Sequence, residues 1–206
     1  MAKFTGPKGK LVRRFGSNIF ETPKYDRLLA QKNHPPGQHG VKQQRKKISD
    51  YGLQLIEKQK LKNSYGLLEK QFRRTFEKAS QQKGITGDNL LRLLETRLDN
   101  AVFRAGFAST RMQARQLVNH GHLRVNGRRV DIPSYQVKVG DVVSVRDRDK
   151  SRTLVTRNID SSPRYHQSSW VAIDQDNQTF HVQHLPQRED TRLEINEQLI
   201  IELYSK

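Results

Sequence analysis

Apolar residues recur at helical spacing in the first half of the chain, and this pattern predicts three amphipathic helices. Ser49 or Asp50 can cap the first helix, which is predicted near residues 51–60. Asn63 or Ser64 can cap the second, whose buried stripe is Tyr65, Leu68, Phe72, Phe76 and Ala79. The third is predicted to run from residues 86–88 to Gly106, and its stripe is Leu91, Leu94, Leu98, Ala101, Val102 and Ala105.

Residues 109–130 predict a short helix that leads directly into a β-hairpin. Thr110 and Gln113 have the spacing of a capping box, and Gly121 stands where a helix commonly ends. Asn126-Gly127 is a two-residue hairpin signal, because both residues tolerate positive φ. The face of this helix that should meet a core is formed by Ala114, Leu117 and Val118.

Short apolar stretches in the rest of the chain predict a small sheet. Gly140-Asp141 is a turn between two valine-rich runs. The segments WVAI, TFHV and EQLIIELY, at residues 170–173, 179–182 and 197–204, are interpreted as short strands whose pairing the sequence leaves open. One more helix is predicted over Ser151 to Ile159.

Basic and polar side chains project from the other side of the helix-hairpin segment. We expect the helix end, the strand and the turn to present six of them together: Arg111, Arg115, His120, His122, Arg124 and Arg128. Directional donors of this kind suit contacts with phosphate and ribose oxygens. The alternative is a basic helix face that is only solvated.

The composition of the 206 residues favours a polyanionic partner. There are 38 Lys and Arg residues against 21 Asp and Glu, and the formal net charge of +17 opposes a compact state unless an anion neutralises it. Nucleic acid is the expected partner, and an anionic membrane surface is the alternative. Aromatic residues are only 7%, so stacking of single-stranded bases is not expected to dominate binding.

The positive charge is densest in residues 1–48, which contain twelve Lys or Arg residues and two acids. This basic N-terminal arm lacks sustained periodicity and contains the segment PPGQHG at residues 35–40. It is either a disordered tail or an arm that becomes ordered against RNA phosphates. Residues 165–206 contain three basic and seven acidic residues, which suit a face toward solvent or a basic protein.

Several function classes find no support in the sequence. No apolar run is long enough to span a bilayer and no secretory signal stands at the N-terminus, so the cytoplasm is the expected compartment. There is no cysteine, hence no disulfide and no thiolate metal site. The motifs GxxxxGK(S/T), HExxH and GxSxG are absent. We therefore expect a protein that is not an enzyme and needs no cofactor.

Longer stretches of the chain resemble a known family. TRLDNAVFRAGFASTRMQARQLVNHGHLRVNGRRVDIPSYQVKVGDVVSV is similar to the S4 RNA-binding module. The segments TGPKGKLVRRFG, PPGQHG, SDYGLQLIEKQK, YGLLEKQFRR, TGDNLLRLLE and INEQLIIELYSK resemble the bacterial small-subunit ribosomal protein S4 family, in the family's order. The long arm argues against a third class, a stress-related RNA chaperone built on the same module.

The resemblance implies an α+β fold in which the RNA-binding module is inserted into a helical first domain. We accordingly expect the basic N-terminal arm at 1–48, the first domain at 49–87 plus 160–206, and the module, two short helices and a small antiparallel sheet, at 88–159. The resemblance further implies binding to small-subunit ribosomal RNA, at a multi-helix junction of the 5′ domain, early in subunit assembly.

Partners and site residues are likewise implied. The family lies beside small-subunit ribosomal protein number five, near the channel through which mRNA enters, and some members repress translation of their own operon mRNA. The implied RNA-binding residues of the module are Arg97, Arg104, Thr110, Arg111, Arg115, Gln116, His120, His122 and Asn126, beside Arg124 and Arg128. Those of the arm are Arg13, Arg14, His39, Arg45, Lys46 and Lys47. Arg73 and Arg74, on the charged face of the second predicted helix, are added as candidates from the helix pattern.

The first motif of this chain differs from that of some members of the family. A branch of it binds zinc through a Cys-x-x-Cys in the first motif, where this chain has Gly9 and Val12. Zinc at that site is excluded by ligand chemistry. We therefore expect the cysteine-free form, with an arm that is held by packing and RNA alone and is mobile without RNA.

Overall fold

The protein is described by a computed structural model that covers residues 4–43, 47–161 and 168–205. The chain divides into two compact units, which we call the first unit and the second unit. The first contains Met1–Lys78 and Leu193–Lys206, and the second contains Ala79–Arg192. Helices and one antiparallel sheet make up the structure, which confirms the α+β class. The described residues contain no helix that is both long and apolar enough to cross a membrane.

The arm contains regular structure that the sequence pattern did not predict. Three short helices occupy it: α1 (Lys8–Phe15), α2 (Pro23–Gln31) and α3 (Gly40–Gln43). Val12 and Ile19 are buried. Helices of this length have too few turns to give a clear apolar periodicity. This explains why the sequence pattern of the arm did not predict them.

The first unit continues with α4 (Asp50–Ser64) and α5 (Glu69–Gln81). The Ser49 hydroxyl accepts a hydrogen bond from the Gly52 backbone N–H, as the predicted cap requires. Helix α5 begins four residues later than its apolar stripe suggested. Gly66 has a φ of +63°, which ends the preceding helix and prevents a start at Tyr65.

The last segment of the chain is a helix, α10 (Glu197–Tyr204), so the strand predicted there is wrong. The Asn196 side chain accepts from the Gln198 N–H and caps the helix. Ile200 is fully buried, and Gln54 of α4 donates to Glu202 at 3.0 Å. A short apolar run fits a buried helix or a buried strand equally well, and packing against α4 decides the outcome here.

The second unit begins with α6 (Thr86–Glu95), α7 (Leu98–Arg104) and α8 (Arg111–Asn119). One continuous helix was predicted where α6 and α7 stand. The chain breaks between them because Arg97 is extended and bridges Gln136, and because the Thr96 carbonyl accepts from the Val137 N–H at 2.9 Å. A contact forty residues distant thus interrupts a helix that local periodicity favours.

A five-stranded antiparallel sheet completes this unit, in the order β2-β1-β3-β5-β4. Its strands are β1 (Leu123–Val125), β2 (Arg128–Arg129), β3 (Val142–Val145), β4 (Val171–Asp174) and β5 (Thr179–Val182). The predicted hairpin turn is confirmed, with φ of +48° at Asn126 and +78° at Gly127. Helix α9 (Asp149–Ser161) is also confirmed.

The sheet changes the expected domain boundary. Strands β4 and β5 were assigned with residues 160–206 to the first domain, but β5 pairs with β3 through Val143 opposite Phe180. Of residues 160–206, only Leu193–Lys206 belong to the first unit. The core of the second unit includes Trp170 and an edge-to-face pair of Phe107 and Phe180, with ring centroids 5.5 Å apart.

Candidate nucleic-acid interface

One arginine that the family resemblance implies in RNA binding lies inside the second unit. Arg104 has no exposed surface, and its guanidinium meets Glu95 through Nη2–Oε1 at 3.0 Å and Nε–Oε2 at 3.1 Å. Asn100 donates to the same carboxylate at 2.7 Å. Arg104 is therefore a structural ion-pair partner, and the expectation that it faces RNA is wrong.

Glu95, Asn100 and Arg104 form a buried polar network. Three further arginines that the family resemblance implies in RNA binding lie at its edge. Asp99 meets Arg97 at 2.8 Å and Arg115 at 2.7 Å. Arg111 donates to Asn100 at 2.8 Å and lies 4.6 Å from the ring centroid of Phe103. All three are at most 9% exposed, because carboxylates, an amide and a ring cover them. They shape the surface between α7 and α8 and present little of it themselves.

Two other implied residues support the backbone. The Thr110 hydroxyl accepts from the Gln113 N–H at 3.2 Å and caps α8, as predicted. The Asn126 amide donates to Asp141 at 2.9 Å and accepts from the Val142 N–H at 2.9 Å, which ties the hairpin turn to β3. Their side chains thus have structural partners within the fold.

The remaining implied residues of the module are accessible. Gln116 and His120 are exposed at the C-terminal half of α8, Arg128 is exposed on β2, and Arg124 is half-buried on β1. Helix α8 is held by the buried network through Arg111 and Arg115, and β1 is held by its pairing with β3. This is the part of the predicted site that an RNA backbone can reach.

His122 stands at the junction of α8, β1 and α9. Its Nδ1 lies 2.9 Å from the Ser151 hydroxyl, and its ring centroid lies 6.1 Å from that of His120. Burial, together with the positive charges of His120, Arg146 and Arg148, lowers the pKa of His122 below its usual range. The imidazole is therefore neutral at neutral pH unless an anion approaches it.

The sequence analysis missed three arginines in this region. Arg146 and Arg148 lie near His122, and Arg129 lies over Gly121 and near Arg146. Arg146 and Arg148 alternate with aspartates in the segment RDRD. Asp147 instead pairs with Arg152 at 3.1 Å. Only the strand register, which no local pattern reveals, brings these arginines beside His122 and Arg124.

The residues of the first unit that were predicted to bind RNA differ in exposure and in their partners. Arg13 donates to the backbone oxygens of His34 and Pro35 at 3.0 and 3.2 Å, so it holds α1 to the PPGQHG segment. Arg73 is exposed and pairs with Glu77 one turn later. Arg14, His39, Lys47 and Arg74 are exposed. Arg45 and Lys46 lie outside the described residues.

Comparison with protein families gives two consecutive matches along the chain. Residues 3–95 match the model of the ribosomal protein S4/S9 N-terminal domain, and residues 96–143 match the S4 domain. The chain belongs to the uS4 family of small ribosomal subunit proteins. The boundary between the two matches falls where α6 ends and the chain breaks before α7. The S4 match covers α7, α8, the hairpin and the start of β3.

Relatives of the uS4 family match over nearly their whole length. The small ribosomal subunit protein uS4 of Chloroflexus aurantiacus is 52% identical over all of both chains. That of Parabacteroides distasonis is also 52% identical over all of both chains. That of Borreliella burgdorferi is 48% identical over 97% of this chain and 96% of its own. Among the described residues of this chain, no group of three or more His, Asp or Glu could hold a metal ion.

Proposed function

We propose that this uS4 family member is a structural, non-catalytic constituent of the small ribosomal subunit and binds small-subunit ribosomal RNA directly. The observation that carries the proposal is the exposed cationic surface around the β1–β2 hairpin, inside a segment that matches the S4 domain. Its neighbours in the fold are ion-paired and fixed, so the surface is already shaped before RNA arrives. Pre-organised donors reduce the free energy that binding must spend on ordering.

The proposed mechanism is recognition of RNA backbone and shape. Exposed guanidiniums and ammoniums neutralise phosphates and release counterions, while Gln116 and His120 offer hydrogen bonds to phosphate or 2′-hydroxyl oxygens. Few aromatic side chains are exposed in residues 4–43, 47–161 and 168–205, which disfavours base stacking as the main contribution to binding. Such a surface distinguishes folded RNA by its geometry.

The finer proposal is that the chain binds early, at a multi-helix junction of the 5′ domain, and nucleates assembly of that domain. Both units carry exposed basic residues on the same chain, among them Arg14 and Lys47 in the first and Arg128 in the second. Once one unit has bound, the other meets its RNA segment at a high effective concentration, which suits a primary binder.

We also propose the partners that the family resemblance implies. One partner is the neighbouring small-subunit ribosomal protein number five. The other is mRNA, close to the channel through which mRNA enters the subunit. Autogenous repression of an operon mRNA would use the same cationic surface, because a messenger that imitates the ribosomal junction presents the same phosphates.

Sedimentation of the native protein with ribosomal subunits, followed by crosslink mapping on the RNA, tests this proposal. We expect the protein to sediment with the small subunit and to crosslink to 5′ domain RNA through residues near the β1–β2 hairpin. The matched control is the large subunit, from which the protein should be absent. A protein that remains at the top of the gradient would overturn the proposal.

A further inference from the structure

The strand register gathers cations on one face of the module sheet. Leu123, Val125, Val143 and Val145 are buried, so the alternate residues of β1 and β3 point to the opposite face. On that face Arg124 of β1 lies opposite Arg129 of β2. On its other side Arg124 faces Ser144 of β3. Arg146 comes two residues after Ser144, and its N–H donates to the His122 carbonyl at 2.7 Å.

A glycine lets one of these side chains reach the end of α8. A Cβ built on Gly121 would lie 2.4 Å from Nε and 2.8 Å from Cζ of Arg129, so the guanidinium occupies the space that a side chain at 121 would need. Gly121 stands between His120 and His122 at the end of α8. Arg129 is therefore held over Gly121 at the helix end.

In the part of the chain that the structure describes, little of the positive charge of this group is neutralised by acids. Among residues 4–43, 47–161 and 168–205, no carboxylate lies within salt-bridge distance of Arg124, Arg146 or Arg148. Arg129 pairs with Asp131 at 3.5 Å, and both of these side chains are about half exposed. Partial desolvation, together with the positive charges of Arg148, Arg129 and Arg124, lowers the pKa of Arg146. Like charges held together in this way repel one another until an anion binds.

We propose that Arg124, Arg129, Arg146 and Arg148, which we call the sheet-face cluster, bind successive phosphates of an RNA strand. This inference rests on the proposed function and deepens it by naming the residues that make the phosphate contacts. Arg124 was already predicted to contact RNA, whereas Arg129, Arg146 and Arg148 were not. The other arginines predicted on the module helices are covered and paired with acids or amides: Arg97, Arg104, Arg111 and Arg115. The buried arginines build the module, and the sheet-face cluster contacts the ligand.

The extent of the cluster favours a strand of RNA over a free anion. Three neighbouring strands contribute to it, and strands lie roughly 4.8 Å apart, so the guanidiniums cover roughly 10 Å. One inorganic phosphate spans much less than this and would leave part of the positive charge unpaired. A polymer with a phosphate at every residue matches both the length and the charge.

The test compares charge-removing variants of the full chain for binding to 5′ domain RNA as salt is raised. Arg146→Gln with Arg148→Gln is expected to make the slope of log K against log salt shallower by roughly 0.7–0.9 per arginine. Arg146→Lys with Arg148→Lys keeps the charge and is expected to retain the wild-type slope. The matched control is Arg152→Gln, since Arg152 is exposed nearby but already pairs with Asp147.

The outcomes separate this inference from the proposed function. A steep slope in the wild type that is unchanged in the Gln double variant would overturn the sheet-face cluster and leave ribosomal RNA binding intact. No binding by the wild type would overturn both. Inorganic phosphate, added at constant ionic strength, is expected to leave RNA affinity unchanged, and its displacement of RNA would identify a free-anion site instead. Circular dichroism of each variant shows whether a shallower salt dependence results from unfolding of the variant.

Discussion

Arg104 and Glu95 form an ion pair in the interior of the second unit, with Nη2 and Oε1 3.0 Å apart and side-chain exposures of 0% and 1%. Removing one member leaves the other as an uncompensated buried charge, so Arg104→Met is expected to destabilise the second unit by about 3–5 kcal/mol. The single tryptophan, Trp170, is buried in this unit, so urea unfolding followed by its fluorescence measures the change.

The double variant Arg104→Met, Glu95→Gln serves as the control for this pair. Removing both charges together should recover most of the lost stability, because no buried charge then remains unpaired. A loss below about 1 kcal/mol for Arg104→Met alone would contradict the structural role of this arginine.

Glu69 makes the stability of the first unit depend on pH. Burial alone would raise the pKa of Glu69, but hydrogen bonds and charge from Lys58 and Lys62 outweigh it and lower the pKa to about 2 from 4.5. The folded state therefore holds fewer protons than the unfolded state between these values. This stabilisation is complete above pH 4.5 and is lost as the pH falls toward 2.

The Glu69→Gln variant should lose this part of the pH dependence. Because the carboxylate is about half exposed and screened by solvent, we expect a contribution on the order of 1 kcal/mol at neutral pH. Thermal unfolding at several pH values, followed by circular dichroism, measures it. Glu77→Gln is the matched control, since Glu77 pairs with the exposed Arg73 one turn away. Equal acid sensitivity in both variants would argue against the Glu69 cluster.

Tyr204 secures the C-terminal helix to α5. Its ring stacks on Phe76 with centroids 4.5 Å apart, and its hydroxyl donates to Glu69 at 3.1 Å. Tyr204→Ala is expected to cost about 2–3 kcal/mol, and Tyr204→Phe, which keeps the ring, about 1 kcal/mol. Hydrogen exchange of the amides of α10 reports the loss locally. Equal effects of the two variants would show that the hydroxyl, not the ring, holds the helix.

His122 should make RNA binding depend on pH. In the free protein its pKa is lowered by burial and by His120, Arg146 and Arg148, so protonation below pH 6.5 opposes folding. A phosphate beside the ring favours the charged form, so the complex binds more protons than the free protein. Affinity is therefore expected to rise as the pH falls below 6.5, by less than about tenfold.

Fluorescence anisotropy with labelled RNA at constant ionic strength measures this dependence. His122→Gln should flatten the profile, whereas the exposed His184→Gln, in the same unit, should leave it unchanged. A profile that stays flat in the wild type would exclude His122 from the phosphate contacts.

Local signals in the sequence were sufficient for part of the fold. The cap at Thr110, the turn at Asn126-Gly127 and the helix stop at Gly121 depend on neighbouring residues alone, and the structure contains all three. Helix α10 was predicted as a strand because a short apolar run fits either element, and contacts with α4 in the first unit decide between them.

The candidate site was harder to predict for a related reason. Whether an arginine is exposed depends on the acids that the fold brings beside it, and Glu95 and Asp99 meet their partners across two helices. The register of β2, β1 and β3 brings Arg129 and Arg146 close enough for their charges to interact. Periodicity assigned a face to each residue, but it carried no information about these long-range pairs.

The salt dependence of RNA binding by the full-length protein tests the central claim most directly. With 5′ domain RNA, log K should fall linearly with log salt at a slope of about −3 or steeper, because four arginines of the sheet-face cluster contribute roughly −0.7 to −0.9 each. A slope near zero, with measurable affinity, would contradict the claim that this chain binds RNA through its backbone phosphates.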